Sequence, residues 1–232
     1  NGELIGVELL MRWQHPTLGN ISPTRFIPLA EKENLIHSLG LWALEQAREF
    51  IRQNDYPGLN VSINVSPLQF HSIYFPEFID LLVSQRAEMG QRLIIELTEG
   101  TFMENVKEAN RIMRFLNQLG YRFSLDDFGT GYSNLAAISS FPLYGLKLDR
   151  SLVTGIAQDA ELRTIAKMVA TLANSLQLHS IAEGVEQEED LETLKELGFD
   201  AVQGFHFSKP MSLQEWPEFL AQTHLGQTPQ RS

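Results

Sequence analysis

The sequence predicts an α/β fold, specifically a (β/α) barrel, and three observations carry that prediction. Short β-branched runs alternate with longer stretches of helical period; the runs number seven; and each run ends in or just before a charged or amide side chain. Strand–helix alternation implies parallel strands joined by crossovers, which a barrel and an open doubly wound sheet share. A closed barrel wants eight strands, so one lies before Asn1 or is missing, and strand counting does not separate the two architectures. The strand-end residues favour the barrel. There the C-terminal ends of all strands converge on one face, whereas an open sheet spreads them along an edge.

The elements follow in order. Leu4 to Leu10 reads as the first strand, with Glu8 late in it and Arg12 ending it. Pro28 to Asn54 reads as one amphipathic helix, and Val61 to Val65 as the second strand, carrying Asn64. Leu93 to Leu97 carries Glu96, Val106 to Leu119 is helical, and Arg122 to Asp126 ends in the pair Asp126-Asp127. Tyr144 to Leu148 places Lys147 between two leucines; Ala160 to Leu176 is helical; His179 to Ala182 precedes Glu183. Glu188 to Leu197 is a helix whose acidic first turn suits the helix dipole, and Ala201 to Gln203 closes the series. Gly120 and Gly198 each follow a helix directly, where a left-handed cap is expected.

Bulk composition narrows the function classes. With 232 residues, 43% hydrophobic and 20% charged, the chain can bury a core without disulfides, and it contains no cysteine. Thiolate metal sites and catalytic thiols are thereby excluded, and a reducing, cytoplasmic setting is expected, free or as the cytoplasmic part of a membrane-bound protein. No apolar run approaches the length of a membrane span, and no basic-then-apolar leader opens the chain. It starts at Asn1-Gly2 without methionine, as an excised piece of something longer would. A single domain over 1–222 is expected, with a flexible tail over 223–232. The net charge of −11 disfavours a nucleic-acid polymer as partner, although a small phosphate ligand remains compatible if divalent ions or local arginines neutralise the contact.

Glu8, Glu96, Asp126 and Asp127 would set four carboxylates in one barrel mouth, where they would repel one another unless cations intervene. Oxygen-only ligands, with the Asn64 amide added, suit Mg²⁺ or Mn²⁺. The adjacent Asp126 and Asp127 allow one carboxylate to bridge two ions, an arrangement that recurs in phosphodiester hydrolysis. Phe128-Gly129-Thr130-Gly131-Tyr132-Ser133 follows as a loop able to move over a ligand, and it matches neither a P-loop nor a dinucleotide fingerprint. Lys147 either snorkels outward or points into the mouth, where its ammonium would orient water or neutralise phosphate. Arg12 could clamp a phosphate oxygen. The six histidines show no ligand spacing, and Trp13, Trp42 and Trp216 are expected in packing.

Glu8-Leu9-Leu10-Met11-Arg12-Trp13 with His15-Pro16 resembles the signature of EAL-domain phosphodiesterases. The likeness continues through Asn64-Val65-Ser66, Glu96-Leu97-Thr98-Glu99, Asp126 to Ser133, Lys147-Leu148-Asp149, Ala182-Glu183-Gly184-Val185-Glu186 and Gln203-Gly204-Phe205. It covers nearly the whole chain in order. The resemblance implies a TIM-like barrel that converts cyclic di-GMP to linear pGpG with two ions of Mg²⁺ or Mn²⁺. Metal ligands would be Glu8, Asn64, Glu96, Asp126 and Asp127. Glu183 would act as base or water-orienting carboxylate, with Lys147 on the same water. Glu186 and Gln203 would support the metal and substrate shell, Arg12 would contact phosphate and Asp149 a guanine. Glu99 would anchor the Asp127–Ser133 loop, which in that family couples dimerisation to activity, so a homodimer is expected, and GGDEF or sensory modules often accompany such domains.

Two departures stand out. The signature alanine is Leu9 here, which strand alternation turns away from Glu8 toward the outer helices. An upstream helix and strand with a Tyr-Gln-Pro-like end, usual in the family, does not appear in this chain, so its usual first strand is missing. Two rival readings are a non-catalytic cyclic di-GMP receptor or interaction module, and a Mg²⁺-dependent acid/base barrel enzyme with Lys147 as base.

Overall fold

The computed structural model describes residues 2–54, 56, 58–72, 75–85, 89–103 (backbone alone at 102 and 103), 105–130 and 138–222. Gly131, Tyr132 and Ser133 of the expected loop, and the expected tail over 223–232, lie outside the described residues. Seven parallel strands form one curled sheet: β1 (Gly6–Leu9), β4 (Asn60–Asn64), β5 (Leu93–Thr98), β6 (Arg122–Phe128), β7 (Gly145–Leu148), β8 (His179–Ala182) and β9 (Ala201–Val202). They pair in that order, all in parallel, so the sheet is a TIM-like barrel lacking part of its wall, with β1 and β9 as its two edges. Two three-residue strands, β2 (Trp13–His15) and β3 (Gly19–Ile21), form a separate antiparallel pair.

Helices cover the outside. They are α1 (Pro23–Lys32), α2 (Ile36–Gln53), α3 (Pro67–Phe70), α4 (Phe75–Ser84), α5 (Glu99–Met103), α6 (Val106–Gln118), α7 (Ala160–Ser175), α8 (Glu188–Leu197) and α9 (Trp216–Gln222). The core lies between them and the sheet. Leu93, Ile95, Leu97, Phe123, Leu125, Leu146 and Leu148 present the outer sheet face to it, all at most 1% exposed. Period-2 alternation therefore leaves Glu96, Ser124 and Lys147 on the concave face. Tyr121, fully buried, satisfies its hydroxyl by donating to the Leu82 carbonyl at 2.7 Å.

The expected single helix from Pro28 to Asn54 is two helices, which corrects the sequence reading. Asn34 adopts a left-handed backbone (φ 57°), and Leu35 N–H donates to the Ala30 carbonyl at 2.7 Å, closing α1. The same closure ends α6 at Gly120 (φ 101°, Tyr121 N–H to Leu116 O) and α8 at Gly198 (φ 84°, Phe199 N–H to Leu194 O). Both glycine caps thus match expectation, while Asn34 makes the same cap without a glycine to announce it. A second correction concerns Arg12, which lies three residues beyond the end of β1 and is exposed. Of the tryptophans, Trp216 is buried as expected, but Trp42 is 52% exposed and Trp13 is 40% exposed. Among the described residues no helix is long and apolar enough to cross a membrane.

Candidate active site

At the C-terminal end of the sheet the concave face carries a buried charge cluster centred on Lys147. The residue is 1% exposed, because Leu146 and Leu148 fill the outer face and their neighbour must point inward. Its Nζ lies 2.5 Å from Glu183 Oε1, 2.8 Å from Glu96 Oε2, 3.3 Å from Asp126 Oδ1 and 3.6 Å from Glu8 Oε2. Of the two positions open to Lys147 in the sequence, the inward one is realised. Two amides complete the ring around Glu8: Asn64 Nδ2 donates to its Oε1 at 2.7 Å, and Gln203 Nε2 donates to its Oε2 at 2.8 Å. The second bond joins residues from opposite edges of the sheet, since Glu8 is on β1 and Gln203 follows β9. It spans the gap in the wall.

Asp126 and Asp127 are consecutive, and regular alternation would send their side chains to opposite faces. The backbone prevents this. Pairing between β6 and β7 slips between Leu125 and Phe128, a bulge, and Asp127 takes a left-handed conformation (φ 53°). Aspartate tolerates that region better than most residues, and such strain gathers at functional sites. As a result Asp126, Asp127 and Glu183 each offer an oxygen within 4.8 Å of the others.

Electrostatics follow from this crowding. Burial pushes the Glu96 carboxyl up to about 8; Lys147 opposes the rise, and Glu8 and Asp126 add to it. Glu183 rises to about 7 for the same leading reason, again opposed by Lys147. Asp127 is raised by burial and by the charges of Asp126 and Asp149. Burial works against the Lys147 ammonium, but the surrounding carboxylates outweigh it and hold its pKa well above the ordinary lysine value. Glu96 Oε2, Asp126 Oδ1 and Glu183 Oε1 are buried without a hydrogen bond of good geometry. Fully ionised, five carboxylates against one ammonium would carry four excess negative charges, which the raised Glu96 and Glu183 relieve by holding protons until cations replace them. An all-oxygen donor set whose buried oxygens share a single ammonium fits a hard cation.

The remaining sequence-selected residues lie at the edge of this cluster or away from it. Glu186 Oε1 accepts from Arg150 Nη2 at 2.6 Å. Asp149 Oδ1 accepts from Ser151 N–H at 2.9 Å and from the Ser151 hydroxyl at 2.5 Å, capping a 3-10 turn over Arg150–Leu152. Glu99 opens α5, and Gly131, Tyr132 and Ser133 of the loop it was expected to anchor lie outside the described residues. Arg12 donates to its neighbour's carbonyl, Met11 O, at 3.0 Å. Gly129, of the loop expected to move over a ligand, lies under Leu152, where an added Cβ would collide with Leu152 Cδ1. Sequence reasoning passed over Arg150 and Leu152, whose contacts depend on the turn after β7 and leave no periodic trace.

The EAL domain family matches residues 1–210. The chain is 36% identical over 218 residues to a bifunctional diguanylate cyclase/cyclic di-GMP phosphodiesterase, MucR of Pseudomonas aeruginosa, covering 93% of this chain and 32% of that protein. It is 35% identical to the cyclic di-GMP phosphodiesterase NbdA of the same organism, covering 95% of this chain and 28% of that one. Among solved structures, the MucR phosphodiesterase in complex with cyclic di-GMP superposes with a TM-score of 0.86 at 36% identity, over 91% of this chain and 87% of that one. The chain thus spans about a third of the curated relatives' length.

Proposed function

The chain belongs to the EAL domain family, and from that premise we propose that it hydrolyses cyclic di-GMP to linear pGpG with two divalent ions, Mg²⁺ or Mn²⁺. The observation that carries the reading is the gathering of five carboxylates around one buried ammonium, an excess of acid relieved either by protons on Glu96 and Glu183 or by bound cations. Glu8, Asn64, Glu96, Asp126 and Asp127 would hold the ions. The Asn64 amide nitrogen is committed to Glu8, which leaves its carbonyl oxygen as the ligand atom. When bound, the ions would lower the pKa of water and neutralise the phosphate oxygens.

The protein's own groups supply the rest. Glu183, raised to about 7 by burial in the metal-free protein and deprotonated once ions join the cluster, would take the proton of the attacking water. Lys147, pinned against Glu183 and Glu96, fixes the orientation of that carboxylate and offers N–H donors to the same water. Water adds its oxygen to phosphorus, the bond from phosphorus to a ribose 3′ oxygen breaks, and the departing 3′ oxygen takes up a proton to become a hydroxyl. The product keeps its phosphate on the 5′ side. Arg12, Asp149, Glu186 and Gln203 belong to the substrate side of this reading, and Glu99 to loop anchoring. A homodimer and attachment to GGDEF or sensory modules accompany it.

Incubation of the purified protein with cyclic di-GMP and Mn²⁺ or Mg²⁺ should yield pGpG on chromatography, and EDTA should abolish it. Tight cyclic di-GMP binding with no pGpG in either metal would refute hydrolysis and mark a receptor.

A further inference from the structure

Strands β6 and β8 are not neighbours, because β7 lies between them. Asp126 and Asp127, on β6, and Glu183, just past β8, are therefore joined by ladder bonds only through β7. Its last rungs are Asp149 N–H to Phe128 O at 3.3 Å and Glu183 N–H to Leu148 O at 3.1 Å, with a gap between the two flanking segments beyond them. What occupies the gap is the continuation of β7 itself, the capped turn Arg150–Leu152. Leu152 seats on Gly129, two residues past Asp127, so closely that an added Cβ would run into its Cδ1. Arg150 seats on Gly184, directly after Glu183, where an added Cβ would run into Arg150 Cγ and lie 2.7 Å from its Cβ and 2.8 Å from its Cδ. Both glycines are left-handed (φ 100° and 72°), so each seat requires both the missing side chain and the unusual backbone.

Beyond Gly184 the guanidinium meets Glu186 at 2.6 Å. On the other side the same segment is held by Gly204, where an added Cβ would collide with the Val185 backbone. Val185 N–H donates to Gln203 O at 3.1 Å, and His206 N–H to Val185 O at 3.0 Å. The Glu183–Glu186 segment is thus clasped between β9 and the Arg150 stem. The Arg150–Glu186 pair is itself well exposed (side chains 55% and 34%), so as an ion pair it contributes little to stability. Its value is in where it places the stem.

We propose that Arg150 and Leu152 are positioning residues which, seated on Gly184 and Gly129, set the separation of Glu183 from Asp126 and Asp127 and so the affinity for a divalent ion among them. The proposal rests on the metal-dependent reading above. Octahedral ions demand ligand distances within a few tenths of an ångström, so a loosened gap weakens binding without unfolding the protein.

The test is Mn²⁺ titration calorimetry on the protein without substrate, with melting in EDTA as the fold control and pGpG formation measured alongside. Arg150→Ala should melt close to wild type, bind Mn²⁺ about tenfold more weakly, and lose kcat with little change in KM. Arg150→Met keeps the stem and drops the charge, and should bind Mn²⁺ nearly as wild type does. Leu152→Val, a milder trim at the other seat, should weaken binding in the same direction and carries the test should Arg150→Ala not fold. Wild-type Mn²⁺ affinity in Arg150→Ala or Leu152→Val, or an Arg150→Met as weak as Arg150→Ala, would overturn the proposal. A wild-type protein that binds no Mn²⁺ would instead overturn the metal reading on which it rests.

Discussion

Replacing Lys147 with methionine is the sharpest perturbation of the buried cluster. The ammonium has four carboxylates within 3.6 Å and is 1% exposed, so the substitution removes the cation while keeping the volume. Breaking a buried ion network by deleting one partner costs about 3–5 kcal/mol, because the opposite charges are left uncompensated. The carboxylates can answer only by taking up protons. Glu96 and Glu183, already at about 8 and about 7, would rise further in the variant, since Lys147 is the group that holds them down. The loss should therefore be largest above about pH 8, where protonation is costly, and smaller near pH 6, at about 1.4 kcal/mol for each tenfold change in a carboxyl's proton affinity. For a chain of this size each kcal/mol moves the melting temperature by about 2–4 °C, so melts in EDTA at alkaline pH should fall by about 6–20 °C. Added Mn²⁺ should recover more stability in the variant than in the wild type, by supplying the missing positive charge. An Lys147→Met protein that melts as the wild type does in EDTA, or gains no more from Mn²⁺, would refute this electrostatic reasoning.

Asp126→Asn should bind Mn²⁺ at least about a hundredfold more weakly and lose pGpG formation while keeping its melting temperature in EDTA, since it removes a ligand together with a repulsion; retained turnover would remove Asp126 from the ligand set. Metal binding should release protons: below about pH 7, Glu96 and Glu183 hold protons that an ion must displace, so calorimetry in buffers of different ionisation enthalpy should detect between one and two released, falling toward zero above about pH 9. The raised Glu96 pKa also fixes the sign of the metal-free stability. A carboxyl raised from 4.5 to about 8 binds its proton more tightly in the folded chain, so its contribution is full below pH 4.5 and is lost as pH rises to about 8. Denaturation in EDTA should show that decline, and a rise over this window would contradict it. Gln203→Ala should speed amide exchange in β1, because the bond from Gln203 to Glu8 joins the two edges of the sheet; unchanged exchange would show that the bond does not hold the gap.

Much of this site was legible because alternation is a strong constraint. A lysine between two leucines in a short strand has only two fates, outward to solvent or inward to the mouth, and the sequence narrows Lys147 to that choice. The convergence of Glu8, Asn64, Glu96 and Gln203 follows from parallel strand order alone. The Asp126-Asp127 pair was readable as a motif but not as geometry. Alternation separates adjacent side chains, and a bulge with one left-handed aspartate, which has no sequence period, reunites them. The break between α1 and α2 was hidden for a related reason: Asn34 makes a cap that glycine usually signals, and the apolar spacing continues across it. The pair β2 and β3 spans three residues per strand, too short for periodicity to register. Arg150 was invisible because its role comes from the two glycines beneath its turn, each of which looks like an ordinary loop residue in sequence.

The central claim is that these side chains jointly hold two divalent ions at the end of the sheet. Anomalous diffraction at the manganese edge, from crystals grown with Mn²⁺ and cyclic di-GMP, tests it directly. Two peaks bounded by Glu8, Asn64, Glu96, Asp126 and Asp127 are predicted; a cluster empty of manganese, with Lys147 alone among the carboxylates, would contradict the account.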